Sequence, residues 1–328
     1  MKILVTGGMG GIGSEVTKKL VKEGYEVVVF DIKNKKNEIF AEKNKGFKAV
    51  LGDIRNFDEV RESVKGVDVV IHMAFVLQPK SEIDTVYSRA VNVGGTENLI
   101  KAINEENPDI KLIFISSTTI YGITKDETPP ISLDHPIDPV VEYSRHKVEC
   151  EKIIKKAIKN YVILRFSEVG HFQVSGTDFE YMYRLPCDQR TEFMHAKDAA
   201  TAVVNSVAIF DKINGETFII SGGKKNRLIH YDRIKTVFNE AYGLSAPPKS
   251  KFTEKPYPFD WYESDRSQKL LKYQKRSIHD YAKDLRKNLS YNYRLVKFFS
   301  PIIELVIYNR ILSPIYRLIF NYYYEHNK

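Results

Sequence analysis

An apolar strand, Lys2-Ile3-Leu4-Val5-Thr6, runs directly into the turn Gly7-Gly8-Met9-Gly10-Gly11-Ile12-Gly13, and a helical repeat opens at Ser14. This strand–turn–helix order constrains the fold more than any other feature of the chain. Gly7 permits a tight turn, Gly10 lets the backbone approach a pyrophosphate, and Gly13 lets helix and strand pack closely. Free N–H groups at the helix start, with the helix dipole behind them, then face an anion. Such a turn binds a dinucleotide, and it makes Gly7, Gly10, Gly11, Ile12 and Gly13 cofactor-binding candidates. Asp31 ends the second apolar run, eighteen residues after Gly13. A carboxylate there bonds a ribose 2′-hydroxyl and repels a 2′-phosphate, which favours NAD over NADP. Lys33, Lys35 and Lys36 lie close by and work against that preference.

Strand-length apolar runs recur at 2–6, 26–30, 48–51, 67–72, 111–116 and 161–165, separated by amphipathic helical stretches at 14–23, 57–64, 93–104 and 143–159. Unbroken Val/Ile strands alternating with helices predict an α/β doubly wound parallel sheet covered on both faces. Ligands of such a sheet sit at the carboxyl ends of its strands. Past residue 165 the alternation weakens: 170–192 is irregular, a helix (197–210) and a strand (216–221) return, and a helix follows near 230–242. The expected organisation is a dinucleotide-binding domain over 1–165, rejoined by 193–221. A smaller C-terminal substrate lobe takes 166–192 and 222–290, and an aromatic, basic tail takes 291–328.

Of 328 residues, 43% are hydrophobic and 28% charged, enough apolar material for a sizeable core. The net charge of +8 comes largely from lysines scattered along helix faces, which reads first as a solvated surface. No nucleic-acid-binding signature accompanies that charge, so nucleic acid is not an expected partner. Cys150 and Cys187 are too few for a disulfide framework and lack metal-site spacing. With a strand beginning at Lys2, the reading is a cytoplasmic protein without a signal peptide, membrane-associated at the inner face if the tail serves as an anchor.

Tyr143-Ser144-Arg145-His146-Lys147 places a phenol and an ammonium four apart, on one helix face. A tyrosine ionises near pH 10, and an adjacent ammonium is expected to lower that value. Combined with Ile115-Ser116-Ser117 and the glycine turn, this pair makes the chain resemble the extended short-chain dehydrogenase/reductase superfamily, in its NAD-dependent epimerase/dehydratase branch. The resemblance covers roughly 1–285. It also rests on Gly52-Asp53-Ile54-Arg55, His72-Met73-Ala74, Asn92-Val93-Gly94-Gly95-Thr96, Ile163-Leu164-Arg165 and Glu192-Phe193-Met194-His195. It implies a Rossmann fold in which Tyr143 is the acid/base, Lys147 holds the nicotinamide ribose and Ser117 bonds the substrate oxygen. Asn92 supports the site from behind, a helix cap being its alternative. Asp53 and Ile54 meet the adenine, and Ala74 and Phe75 line the cofactor cleft. Thr118 and Thr119 stand where sugar-nucleotide dehydratases carry an Asp-Glu pair, which disfavours dehydration. The family habit is a homodimer.

The chain departs from that pattern on the substrate side. Glu168 replaces an asparagine that helps hold a diphosphate, and a carboxylate there is repulsive. Residues 170–190 are short for the family, and Arg190 is a substitute for the arginine expected at Thr191. With Thr118, Glu168 and Arg190 are the substrate-binding candidates. His171 and His195 lack a third metal ligand and read as structural or substrate-lining. Pro301, Glu304, Arg310 and Pro314 interrupt the apolar tail and make it a poor bilayer span. Packing on the domain or a dimer partner, a peripheral membrane contact, and disorder remain open for it. Two activities follow: an NAD-dependent epimerase of a sugar carried by a nucleotide or other phosphate-bearing group, or a dehydrogenase/reductase of an apolar alcohol or ketone. A cofactor-binding regulator without turnover is the third reading.

Overall fold

The computed structural model describes residues 1–171, 182–288 and 293–308, with side chains to residue 305. Seven parallel strands form the central sheet, in the order β3-β2-β1-β4-β5-β6-β9. They are β1 (Lys2–Thr6), β2 (Glu26–Asp31), β3 (Phe47–Leu51), β4 (Val69–His72), β5 (Lys111–Ser117), β6 (Tyr161–Phe166) and β9 (Thr217–Ile220). Side chains alternate along each strand, so one apolar set serves each face. Ile3, Val5, Val27, Val29, Ile71 and Ile113 point to one side, where Val16 and Leu20 of α1 (Gly13–Lys22) pack with a later helix, Ala196–Ala208. Leu4, Val28, Phe30, Val70, Leu112 and Phe114 fill the other side beneath Gly95–Glu106 and Glu142–Ala157. Burial on both faces is why these strands read as unbroken apolar runs.

The strand order reverses between β1 and β4, so the glycine turn after β1 opens at the crevice where α/β sheets bind ligands. A second sheet, β10-β8-β7, joins Arg227–Ile229, Arg190–His195 and Glu168–Gly170. The chain therefore rejoins the central sheet later than residue 193: β8 belongs to the small sheet, and the returning pieces are the helix Ala196–Ala208 and β9. Glu192 ties the small sheet to its surroundings, accepting from Gly223 N at 2.8 Å, Tyr262 N at 2.8 Å and Arg227 Nε at 3.1 Å.

Two helices differ from the sequence expectation. The one near 93–104 starts as a π-helical turn, Ala90–Gly94, continuing into Gly95–Glu106. The one near 230–242 is α-helical over His230–Val237 and π-helical over Phe238–Tyr242, ending at Gly243 with φ 75°. The expected tail contributes two short helices, Tyr293–Phe298 and Ser300–Tyr308. The remainder of that expectation, and residues 172–181 of the expected irregular segment 170–192, fall outside the described residues. Among the described residues no helix is long and apolar enough to cross a membrane.

Candidate active site

A cleft of about 750 Å³ runs along the carboxyl ends of the central strands. Its walls include Gly7, Gly10, Gly11, Ile12 and Gly13, then Asp31, Asp53, Ile54, Ala74 and Phe75, and beyond them Ser117, Tyr143, Lys147 and Glu168. Gly7 turns with φ +70°, and a Cβ there would lie 2.7 Å from Ala74 N. A Cβ on Gly13 would meet Gly7 O at 2.1 Å, so only glycine lets α1 approach β1 this closely. Ile12 caps α1 without a side-chain acceptor, and among the described residues no acceptor is bonded to the N–H groups of Gly11, Ile12 and Gly13. These three donors at a helix N-terminus fit a pyrophosphate. Asp31 receives Met9 N at 2.8 Å through Oδ2, which ties the glycine turn to the end of β2. Burial raises its pKa, opposed by the N–H groups of Met9 and Ile32 and by Lys36. Asp53 spends its carboxylate on Arg55 at 3.0 Å, leaving backbone and Ile54 for contact with a bound base.

Tyr143 lies in the first turn of Glu142–Ala157, and Lys147 is one turn on. Glu82 caps that helix from a separate segment, accepting from Glu142 N at 3.0 Å and Tyr143 N at 3.2 Å. The phenol hydroxyl lies near the Ser117 side chain, whose Oγ shares a hydrogen bond with Thr119 Oγ1 at 2.9 Å, and the ring meets Phe75 edge-on with centroids 5.7 Å apart. Lys147 Nζ donates to Ile115 O at 2.6 Å and stands 3.4 Å from the Phe75 ring centroid. Farther along the same face, Glu151 accepts from Ser116 Oγ at 2.6 Å and from Arg165 Nη2 at 2.8 Å, locking β5 and β6 to the helix that carries Tyr143. Sequence reasoning passed over Glu151, although it lies four residues after Lys147, as Lys147 lies four after Tyr143.

The expected lowering of the Tyr143 pKa by Lys147 is not seen in this geometry. Burial pushes Tyr143 up to about 12, with only the neighbouring Ser117 side chain opposing it, and pushes Lys147 down to about 7. Both charged forms are desolvated together, and the ammonium is committed to a carbonyl and a ring face. The phenol is therefore protonated at neutral pH.

Four further candidates are placed by their contacts. Asn92 is held inside the π-helical turn, not at a helix cap. It bonds Val76 twice, receiving its N–H at 2.6 Å and donating to its carbonyl at 3.1 Å, so it braces the loop after Phe75 without lining the cleft. Thr118 is buried beside the Tyr262 hydroxyl, away from the cleft. Arg190 does not line the cleft: its guanidinium bonds Asp260 at 2.6 Å and the carbonyls of Thr124 and Glu127. The carboxylate of Glu168 is not a bare repulsive charge, because Arg233, sixty-five residues away, pairs with it and contacts His230 Nδ1 at 3.0 Å. Among the described residues Glu168 Oε2 and Arg233 Nε remain buried without hydrogen-bond partners, an acceptor and a donor. His171 lies against Gly11 in the cleft wall, and Tyr281 donates to its carbonyl at 3.0 Å. Buried His195 accepts from Lys197 N at 3.1 Å. Among the described residues no three His, Cys, Asp or Glu side chains are grouped to hold a metal ion.

A doubly wound sheet with a glycine turn at its switch point, and with serine, tyrosine and lysine gathered beside it, defines a nicotinamide-dinucleotide enzyme of the extended short-chain dehydrogenase/reductase type. The profile of the NAD dependent epimerase/dehydratase family matches residues 3–184, and the chain belongs to that family. Its cofactor is accordingly NAD. Among its relatives, a putative UDP-glucose 4-epimerase of Methanocaldococcus jannaschii is 35% identical over 176 residues, covering 51% of this chain and 55% of that one. The CDP-paratose 2-epimerase of Salmonella typhi is 25% identical over 273 residues, 70% of this chain and 81% of that one. The chain spans about half the length of the first curated relatives it matches. A solved UDP-glucuronic acid 4-epimerase from Bacillus cereus, in complex with UDP-glucuronic acid and NAD, superposes with a TM-score of 0.73 at 24% identity. It covers 88% of this chain and 98% of that one, a likeness of fold.

Proposed function

We propose that this protein is an NAD-dependent epimerase of a sugar hydroxyl, acting on a sugar linked to a nucleotide or another phosphate-bearing group. The observation that carries the reading is the meeting of Ser117, Tyr143 and Lys147 in the cleft that the glycine turn opens. When bound, NAD supplies the hydride acceptor and donor and a positive charge near the phenol. Gly11, Ile12 and Gly13 would hold its pyrophosphate, and Asp31 its ribose. Tyr143 exchanges the proton of the sugar hydroxyl, and Ser117 fixes the oxygen from which that proton leaves. Lys147, through Ile115 O and the Phe75 face, sets the position of the helix against the end of β5. Phe75 and Phe166 line the cleft alongside them and limit water at the reacting atoms.

The test is incubation with catalytic NAD and a panel of nucleotide sugars, following epimers by chromatography and NADH by absorbance. Interconversion without NADH accumulation is the expected result. No interconversion, with stoichiometric NADH formed from an alcohol, would favour the dehydrogenase reading instead. The apolar wall of Met182, Phe193, Ile234, Phe238 and Leu285 is the observation behind that second reading.

Within the first reading, Glu168 Oε2 and Arg233 Nε receive one neutral group of the substrate, a hydroxyl or an amide, which both donates and accepts. Glu168→Gln preserves shape and removes the charge. It is expected to raise KM by roughly tenfold with kcat little changed, since hydrogen bonds to charged groups contribute about 1.5–3 kcal/mol. An unchanged KM would remove the pair from substrate recognition.

A further inference from the structure

The helices Tyr293–Phe298 and Ser300–Tyr308 carry one face that is fastened to the protein and one whose apolar side chains are exposed. On the fastened side, Tyr293 donates to Asn239 O at 2.9 Å, and Glu304 Oε1 receives Ser245 N at 2.6 Å. The other side presents Leu295, Phe298, Phe299, Ile302 and Leu305, with Phe298 77% exposed and Ile302 and Leu305 each 63% exposed. A spacing of three residues puts Leu295 with Phe298 on one side of the first helix and Ile302 with Leu305 on one side of the second, and all five are exposed. An apolar surface of this extent is costly in water and marks an interaction surface.

The charge around this surface selects its partner. Exposed Arg294 and Lys297 flank it, and the sequence continues with Arg310, Arg317 and Lys328, against only Glu304 and Glu325 from residue 289 onward. Glu304 is turned to Ser245 of the protein. A second copy of the same face would bring like charge against like charge. Anionic headgroups over an apolar layer match both properties at once, and tyrosines, of which residues 291–328 contain seven, suit the boundary between them.

We infer that residues 293–305 dock the protein on an anionic lipid bilayer, with Phe298 and Ile302 in the acyl boundary and Arg294 and Lys297 at the headgroups. The attachment point gives this consequence for the site. Asn239 lies in the π-helical turn Phe238–Tyr242, and both Phe238 and Tyr242 line the cleft, so a docked protein holds that cleft wall beside the bilayer.

The test is co-sedimentation of the full chain with vesicles of phosphatidylcholine alone and of phosphatidylcholine and phosphatidylglycerol in equal amounts. The protein is expected to pellet with the mixed vesicles, more weakly with the neutral ones, and less as salt is raised. The double variant Phe298→Glu/Ile302→Glu is expected to lose binding while keeping its melting temperature and NAD affinity. Arg294→Gln/Lys297→Gln is expected to weaken binding to mixed vesicles by about thirty-fold, roughly fivefold per cation, and to leave neutral vesicles unaffected. Absence of vesicle binding by the native chain would overturn the inference. So would undiminished binding by the double variant, or a double variant whose only change is from dimer to monomer, which would assign the surface to a second copy.

Discussion

Replacing Tyr143 by phenylalanine is expected to lower turnover by roughly 10²–10⁴-fold while NAD affinity changes little. The phenol supplies one transferable proton, and loss of a positioned acid/base costs about that much. The ring itself is retained in the variant, so its edge-on contact with Phe75 survives and the cleft keeps its shape. Only the hydroxyl beside Ser117 is removed. Steady-state rates, with NAD titrated by fluorescence, check this. Full activity in the variant would move the acid/base to another group, and a parallel loss of NAD binding would make Tyr143 a structural residue.

The second large effect concerns Lys147 and is read in stability. In the folded protein its amine titrates near 7, against an ordinary value of 10.5, because burial penalises the ammonium. Between these values the unfolded chain holds a proton that the folded chain lacks, so stability rises with pH across the window from about 7 to about 10.5. Below about 7 the penalty is present in full. Each unit of pKa corresponds to about 1.4 kcal/mol, which makes the total on the order of a few kcal/mol. Lys147→Met removes the titration and leaves Ile115 O without its donor, a pH-independent loss of about 1–3 kcal/mol. Relative to the native chain, the cofactor-free variant is therefore expected to melt lower at pH 10 and to recover or overtake it at pH 6. Turnover falls at both pH values. A melting difference that does not vary with pH would show that the ammonium is not desolvated.

The parts of this molecule that were legible in the sequence are those whose signals are short in sequence. The glycine turn, the Val/Ile strands and the four-residue step from Tyr143 to Lys147 each declare themselves within about ten residues. The structure brings the glycine turn, Tyr143 and Lys147 together in one cleft at the ends of those strands. What was not legible depends on partners far apart in the chain. Glu168 alone suggested repulsion of an anion, and only the helix beginning at His230 brings Arg233 to neutralise it. Arg190 had the right chemistry for a substrate anion, but Asp260 and two loop carbonyls claim it. The lowered phenol pKa followed from a pairwise argument about charge, and burial, a property of the whole fold, outweighs it. The strands β7 and β10 have three residues each, too few for a periodic signal.

The central claim is that the cleft epimerises a sugar through reversible oxidation of a hydroxyl-bearing carbon, with Tyr143 exchanging only the hydroxyl proton. Epimerisation in deuterium oxide, followed by proton NMR on a nucleotide sugar that the protein converts, tests it most directly. Appearance of the epimer with protium retained at the inverted carbon is the predicted result. Deuterium at that carbon would contradict the account by requiring removal of a carbon-bound proton, as would failure of every sugar in the panel to epimerise.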